Sequence, residues 1–236
     1  MKILYLDTSS KFLSLAVARG DKILAQAHRK LDRKHSLQLV PLIDKILKKA
    51  RVPLKKLDGF CVSKGPGSFT GLRVGITTIK GLAFVLRKPV VAIPSLDILA
   101  ENIKKVKAPK KKPLPDEICP IVDARQNKVY ACLYKASNGK IRRKSRYFLL
   151  PIEELLKKLK GNILFLGDGI NLYREEIKKN KRIKPVFAEE KFWYPKASAA
   201  VSLALERFYK GEVEDVNSLT PLYLYSRECQ IKKARR

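Results

Sequence analysis

Two acids, a glycine-rich stretch, two histidines and four cysteines are the residues whose types and spacing could do chemistry. Asp7 closes an apolar run within LDTSS (residues 6–10), followed by Thr8, and Asp123 closes another within VDARQ (residues 122–126). An acid at a strand end beside small polar residues suits a phosphate or metal-water cluster. It equally suits a capped turn, because Asp accepts bonds from backbone N–H groups two residues on. The most distinctive segment is KGPGSFTGLRVG (residues 64–75), comprising Gly65, Pro66, Gly67, Ser68, Phe69, Thr70, Gly71 and Arg73 among others. Its glycines permit positive φ and close backbone approach, and free N–H groups at a following helix start would suit an anion. The other reading is a tight strand-to-helix turn with Ser68 or Thr70 as the cap. A Walker A loop is excluded, since Leu72 and Arg73 follow Gly71 where a phosphate-reaching lysine is required.

His28 and His35 have no carboxylate or third histidine at ligand spacing, and no GxSxG elbow marks a nucleophilic serine. Cys61, Cys119, Cys132 and Cys229 form no CxxC pair, so no metal site is predicted. The first three sit in strand-like apolar runs and are expected to be reduced, buried small hydrophobes.

The elements that must position these residues follow from periodicity. Residues 1–30 read as a three-strand meander turning at Gly20-Asp21. From Ser36 to about Arg51 the spacing of Leu39, Val40, Ile43, Ile46 and Leu47 is helical. A strand over 58–63, the glycine-rich turn, a helix over 70–86, a strand over 89–93 and a helix over 95–104, capped by Ser95, complete the order βββαβαβα. After KKVKAPKKKPLPD (residues 104–116), whose prolines and like charges oppose regular structure, the pattern restarts. EICPIVDAR, NKVYACLYKA and KIRRKSRYFL read as three strands, with Asn138-Gly139 turning between the last two. A helix over 151–159, the strand NILFLGDG and helices over 171–179 and 196–209 follow. The pattern predicts an α/β protein with an internal repeat: residues 1–104, a basic linker at 105–115, and residues 116–236.

The helix over 70–86 has almost no polar face. Leu72, Ile76 and Ile79 fall among apolar neighbours, and Gly71, Gly75 and Gly81 open room for close packing. A helix apolar all round must be covered on more than one side: its own sheet covers one, and the other is covered either by the helix over 36–51 or by another protein chain, so the two helices are expected to form a partner interface.

The chain of 236 residues carries a formal charge of +29 with 45% hydrophobic residues, which excludes a disordered polyelectrolyte and provides for a sizeable core. The charge fits a polyanion partner, and it fits equally a lysine-rich, thermophile-like surface, with one Met, four Gln and seven Asn. No apolar run of membrane-spanning length and no signal peptide stand out, which predicts a soluble, cytoplasmic protein with no membrane partner.

LDTSS, KHSLQLVPLIDKIL (34–47), KGPGSFTGLRVGITTIKGLAF (64–84), VVAIPSLDILA (90–100), VDARQNKVYACLY (122–134) and TPLYLYS (220–226) resemble the TsaB family, also called YeaZ, over essentially the whole chain. The resemblance implies two duplicated ribonuclease H-like domains of the actin-like, sugar-kinase-like kind (the ASKHA fold). It implies a role in forming N6-threonylcarbamoyladenosine at position 37 of tRNAs that read codons beginning with A. In that family the chemistry belongs to TsaD, which carries an HxxxH metal motif. Here His35 is followed at i+4 by Leu39, so no metal site and no catalytic residue carry over. ATP and metal are then expected on TsaD and the ATPase TsaE, the intermediate comes from a TsaC-type enzyme, and tRNA is met through the complex. The family's pairing surface, shared with a homodimer when TsaD is absent, maps onto Leu39, Val40, Ile43, Ile46, Leu47, Leu72, Gly75, Ile76 and Ile79. Asp7, Thr8 and Asp123 fall at degenerate phosphate-type turns, since LDTSS lacks the glycine of the DxGT pattern. An ATP-dependent enzyme or a peptidase of the same fold is the alternative.

Overall fold

Short apolar runs over the first thirty residues build β1 (Lys2–Asp7), β2 (Phe12–Arg19) and β3 (Lys22–Lys30) as an antiparallel meander, with β1 and β2 buried on both faces. α1 (His35–Ala50), β4 (Gly59–Gly65), α2 (Phe69–Leu86), β5 (Val90–Pro94) and α3 (Ser95–Glu101) follow, and β1, β4 and β5 run parallel in a sheet ordered β3-β2-β1-β4-β5. The computed structural model describes residues 1–30, 35–105 and 115–225. Most of the basic linker, with Lys110, Lys111 and Lys112, lies outside the described residues, as do Cys229 and the tail IKKARR.

The second half repeats the plan. β6 (Glu117–Asp123), β7 (Lys128–Ala131), β8 (Tyr134–Ser137), β9 (Lys140–Arg143) and β10 (Phe148–Pro151) precede α4 (Ile152–Lys157), β11 (Gly161–Leu166), α5 (Ile170–Lys179), β12 (Ile183–Phe187) and α6 (Ala197–Tyr209). Its order is β10-β7-β6-β11-β12, with β6, β11 and β12 parallel and β7 antiparallel to β6. Position by position, this is the order of the first half. The protein is two ribonuclease H-like units of one topology.

Two expected strands are each broken. NKVYACLYKA divides into β7 and β8, and KIRRKSRYFL into β9 and β10. The register pairs Ile121 with Ala131 and Ile118 with Tyr134, which places Pro120 opposite Cys132. Proline offers no N–H to the ladder, so pairing lapses there, while Leu133 turns to the other side: its amide donates to Ser145 Oγ at 2.9 Å and its carbonyl accepts from Lys144 N at 2.7 Å. The helix after β5 also departs from expectation. It ends at Glu101 and tightens into a 3₁₀ turn over Asn102–Lys105. Ser95 does not cap it: Pro94 holds that position and the Ser95 hydroxyl donates to the Pro66 carbonyl.

The core has three parts. Leu4, Leu6, Leu15, Phe60 and Val62 on one face of the first sheet pack with Leu39, Ile43, Ile46 and Leu47 of α1 and Ile76, Ile79 and Ala83 of α2. The opposite face (Ile3, Tyr5, Ala16, Ala18, Cys61) is covered by Ala197, Ala200, Val201 and Ala204 of α6. α3 inserts Leu96, Leu99 and Ala100 into the core of the second half. Each half therefore receives the last helix of the other, and the alanines of α6 let it lie close to the sheet. Cys61, Cys119 and Cys132 are buried and unpaired, and burial pushes their thiols up.

One expectation about α2 is corrected. Its 18 residues have the length and apolar composition of a membrane span. The helix instead lies along the sheet, with Leu72, Gly75, Ile76, Ile79 and Ala83 buried.

Candidate functional site

The glycine-rich segment and the LDTSS turn meet. β1 ends in Asp7, whose carboxylate is buried and accepts from the Ser9 amide and hydroxyl, both at 3.0 Å, and from the Tyr5 hydroxyl at 3.2 Å. The start of α2 closes over the next two residues. Ser68 N donates to Ser9 O at 2.7 Å, and Thr8 Oγ1 donates to Gly71 O at 2.6 Å. Glycines 67, 71 and 75 recur once per turn and form an edge without side chains. A Cβ at Gly67 would fall inside contact distance of Ser9 O, one at Gly71 of Thr8 O, and one at Gly75 of Thr8 Oγ1. Of the two readings of this loop, the tight turn is the one formed. Ser68 caps α2 by accepting from Gly71 N at 3.3 Å, Thr70 is exposed, and the Ser9 carbonyl stands where an anion would meet the Ser68 amide.

The other side of the segment holds the chain's later part. Gly65 has φ +98°, and its edge lies against Leu72 and the Leu222 carbonyl, while Leu222 N donates to Lys64 O at 2.7 Å. The Arg73 guanidinium lies 3.8 Å from the Phe69 ring centroid and its Nε donates to the Tyr223 hydroxyl at 3.0 Å. GPGSFTGLR and TPLYLY, far apart in sequence, thus form one surface.

The second half builds a looser copy. Asp123 Oδ1 accepts from Arg125 N at 2.8 Å, and Asp123 N donates to Asp168 Oδ1 at 3.1 Å. Gly167, at φ +107°, presses on the Ile121 carbonyl much as Gly67 presses on Ser9. Asp168 was not singled out from the sequence, although GDG after a strand repeats the strand-to-glycine-turn pattern of the first half. Burial raises its carboxyl above the ordinary range, and Lys11, reaching across from the first half, opposes that. His28 bonds Ser14 through Nδ1 at 2.6 Å and stacks on Phe12. Among the described residues no group of three His, Cys, Asp or Glu could hold a metal ion.

The expected interface residues need correcting individually. Leu39, Ile43, Ile46, Leu47, Leu72, Gly75, Ile76 and Ile79 are all buried, with Ile43 and Leu47 reaching only the wall of a surface groove. Only Val40, 63% exposed, faces outward. The sheet takes the most apolar stripe of both helices. What remains outside is Val40 with Phe84 and Val85, 70% and 76% exposed, beside a groove of about 510 Å³ lined by Val40, Leu47, Val52, Leu54 and Leu82.

Two substitution tests follow from the sealed turn. Gly75→Ala should destabilise the protein by about 1–3 kcal/mol through overpacking on Thr8. Gly81→Ala, on the same helix with nothing within 4 Å of its Cβ, should instead stabilise it by roughly 0.5–1 kcal/mol. Urea unfolding of both variants checks the contrast. Burial raises Asp7 above the usual carboxylate value, against the lowering effect of its bonds to Ser9 and Tyr5. The native state therefore keeps a proton that the unfolded chain gives up, and this stability contribution, full below the ordinary carboxylate range, is lost as pH rises through the native value. Asp7→Asn removes that loss. Its stability should exceed the wild type's at neutral pH and converge on it as pH falls to the carboxylate range, measured by urea unfolding between about pH 4 and 8.

Comparison with known proteins agrees with this geometry. The sequence model of the TsaD family, tRNA N6-adenosine threonylcarbamoyltransferase, matches residues 23–234. The chain is 32% identical over 235 residues to the tRNA threonylcarbamoyladenosine biosynthesis protein TsaB of Bacillus subtilis, covering 98% of this chain and 97% of that one. YeaZ from Pseudomonas aeruginosa superimposes with a TM-score of 0.79 at 28% identity, over 94% of this chain and 99% of that one. In fold alone, the inorganic polyphosphate/ATP-glucomannokinase of an Arthrobacter strain is also similar, with a TM-score of 0.50 at 10% identity, over 89% and 99% of the two chains. With a duplicated fold shared by sugar kinases and near full-length similarity to TsaB proteins, the chain belongs to the TsaB (YeaZ) family.

Proposed function

We propose that this chain is a non-catalytic subunit in the formation of N6-threonylcarbamoyladenosine on tRNAs that read codons beginning with A. It pairs through the outer face of α1 and α2 with a TsaD-type transferase. The observation that carries the reading is that face: Val40, Phe84 and Val85 stand exposed on two adjacent helices whose inner stripes are already satisfied. Large apolar side chains left exposed on neighbouring helices mark a protein interface.

The sealed LDTSS turn supports the non-catalytic part. A nucleotide phosphate on the first half needs open amides and space beside the strand-end acid. Here the Ser9 carbonyl takes the Ser68 amide, α2 lies on Thr8, and Asp7 is enclosed by Tyr5 and Ser9. ATP and metal chemistry then belong to the TsaD and TsaE partners, with TsaE joining the assembled pair and tRNA bound by the complex. Without TsaD, the same face closes a homodimer. An independently acting ATP-dependent enzyme or peptidase of this fold is the competing reading, and it requires turnover by the isolated chain.

The test combines binding and reconstitution. Phe84→Glu and Val85→Glu, both at exposed positions, should each weaken association with the cognate TsaD by about 30-fold or more, as expected for an apolar anchor of an interface. Their melting temperatures should stay near wild type. Calorimetry and light scattering read the two effects. Modification of a tRNA transcript by TsaD, TsaE and the TsaC-type enzyme should fall to background when this chain is omitted. Modification at full rate in its absence, or ATP turnover by the chain alone, overturns the proposal.

A further inference from the structure

β8 and β9 form a two-stranded ribbon whose outer face is cationic. Asn138 and Gly139, at φ +51° and +71°, make the tight turn between them. The register sets Lys135 opposite Arg142 and Ser137 opposite Lys140, and pairing continues through Lys144 N to Leu133 O at 2.7 Å. Lys135, Lys140, Arg142 and Lys144 therefore share one face, and with Ser137 and Asn138 they line a groove of about 470 Å³. Lys144 is paired with Glu117, whereas Lys135, Lys140 and Arg142 have no ion-pair partner among the described residues.

This concentration differs from the charge elsewhere. Lys48 and Lys49 at the end of α1, and Lys178 and Lys179 at the end of α5, sit where the helix dipole favours cations. In the ribbon, two like charges stand directly opposite across an antiparallel pair, an arrangement that costs stability on its own. The inner face is anchored: Tyr134 donates to Asp97 of α3 at 2.6 Å, and Ala136 and Ile141 pack on the core. The outer face is thus held in place; Glu117, opposite Lys135 on β6 and paired with Lys144, offsets part of its charge, and the cations that remain suit an anion spanning several of them.

We propose that this face binds the phosphodiester backbone of a folded RNA. Lys140, Arg142 and Lys144 recur at two-residue intervals, about 7 Å apart, which matches a repeating anion along one strand. Ser137 and Asn138 add the neutral donors and acceptors typical of backbone and sugar contacts. The face offers no exposed apolar side chain for insertion into a lipid surface. The inference rests on the reading that this chain serves a tRNA-modifying assembly, and it gives the chain a direct contact with the substrate of that assembly.

The test compares two triple variants with the same loss of charge, Lys135→Gln/Lys140→Gln/Arg142→Gln in the ribbon and Lys158→Gln/Lys179→Gln/Lys181→Gln at the ends of α4 and α5. Binding of an unmodified tRNA transcript to the full chain, alone and with TsaD, is measured by fluorescence anisotropy over a salt series. The ribbon variant should bind roughly 10-fold or more weakly near 150 mM salt, with a slope of log K against log salt shallower by about 2 to 3. The control should stay within about twofold of wild type, and neither variant should melt earlier. Equal losses in both variants would mean diffuse attraction and overturn the proposal, as would an unaffected ribbon variant. Loss of binding to phosphatidylserine vesicles with RNA binding intact would assign the face to a membrane and overturn it too. The reconstitution test is separate: a chain dispensable for modification refutes the subunit role, whereas the ribbon's contact with RNA stands or falls on the paired variants.

Discussion

Close approach of α2 to the Thr8–Ser9 backbone is the constraint on which the rest of the first half depends. The helix can lie there because positions 67, 71 and 75 carry no Cβ, one per turn along a single edge. With that edge fixed, Leu72, Ile76, Ile79 and Ala83 fall inward. The same placement turns Phe84 and Val85 outward at the helix end. Arg73 is positioned to stack on Phe69 and to receive Tyr223, so the C-terminal segment is also located by this packing. One contact thereby closes the turn after β1 and leaves Phe84 and Val85 outside the core.

Duplication explains why the second half repeats the motif without repeating its sequence. Gly167 against the Ile121 carbonyl does for β6 and α5 what Gly67 does for β1 and α2. The second copy is less tightly closed. Asp123 is part-exposed; it keeps the bond from the amide two residues on, Arg125 N, but has the Arg125 guanidinium beside it where Asp7 has a serine hydroxyl. The exchange of α3 and α6 between halves has its own consequence. The network of Asp97 with Tyr134 and Tyr147, and the bond from Arg207 to the Ala92 carbonyl, tie each half to the helix it borrows. The two units are therefore held by covered core faces as well as by the linker.

Much of this was legible in the sequence, for reasons that can be stated residue by residue. The period change at Ser36, the Asn138-Gly139 turn and the glycine-rich stretch each have a local physical cause, and each is present. The misreadings concern partners that a one-dimensional pattern does not reveal. Pro120 breaks the strand across from it, so the split between β7 and β8 is caused by a residue on a different strand. Ser95 looked like a cap, but the Pro66 carbonyl lies within its reach. The apolar periodicity of α1 and α2 marks both helices, whereas their strongest apolar positions are those claimed by the chain's own sheet.

That last error is general, and it bears on how an interface should be read from a helix. In a helix of an α/β layer, the stripe of highest hydrophobicity is set by the sheet, because burial there contributes the most per side chain. A partner meets what is left, so its signature is apolar residues on the opposite side, where lysine would ordinarily stand in a protein of +29 charge. Phe84 and Val85 fit that description in a chain otherwise dense in cations. The ribbon's outer face inverts it. There, Lys135 and Arg142 stand opposite each other where strand pairing would favour an acid or a neutral residue. In both places the departure from what folding alone would select is the observation that points to a partner.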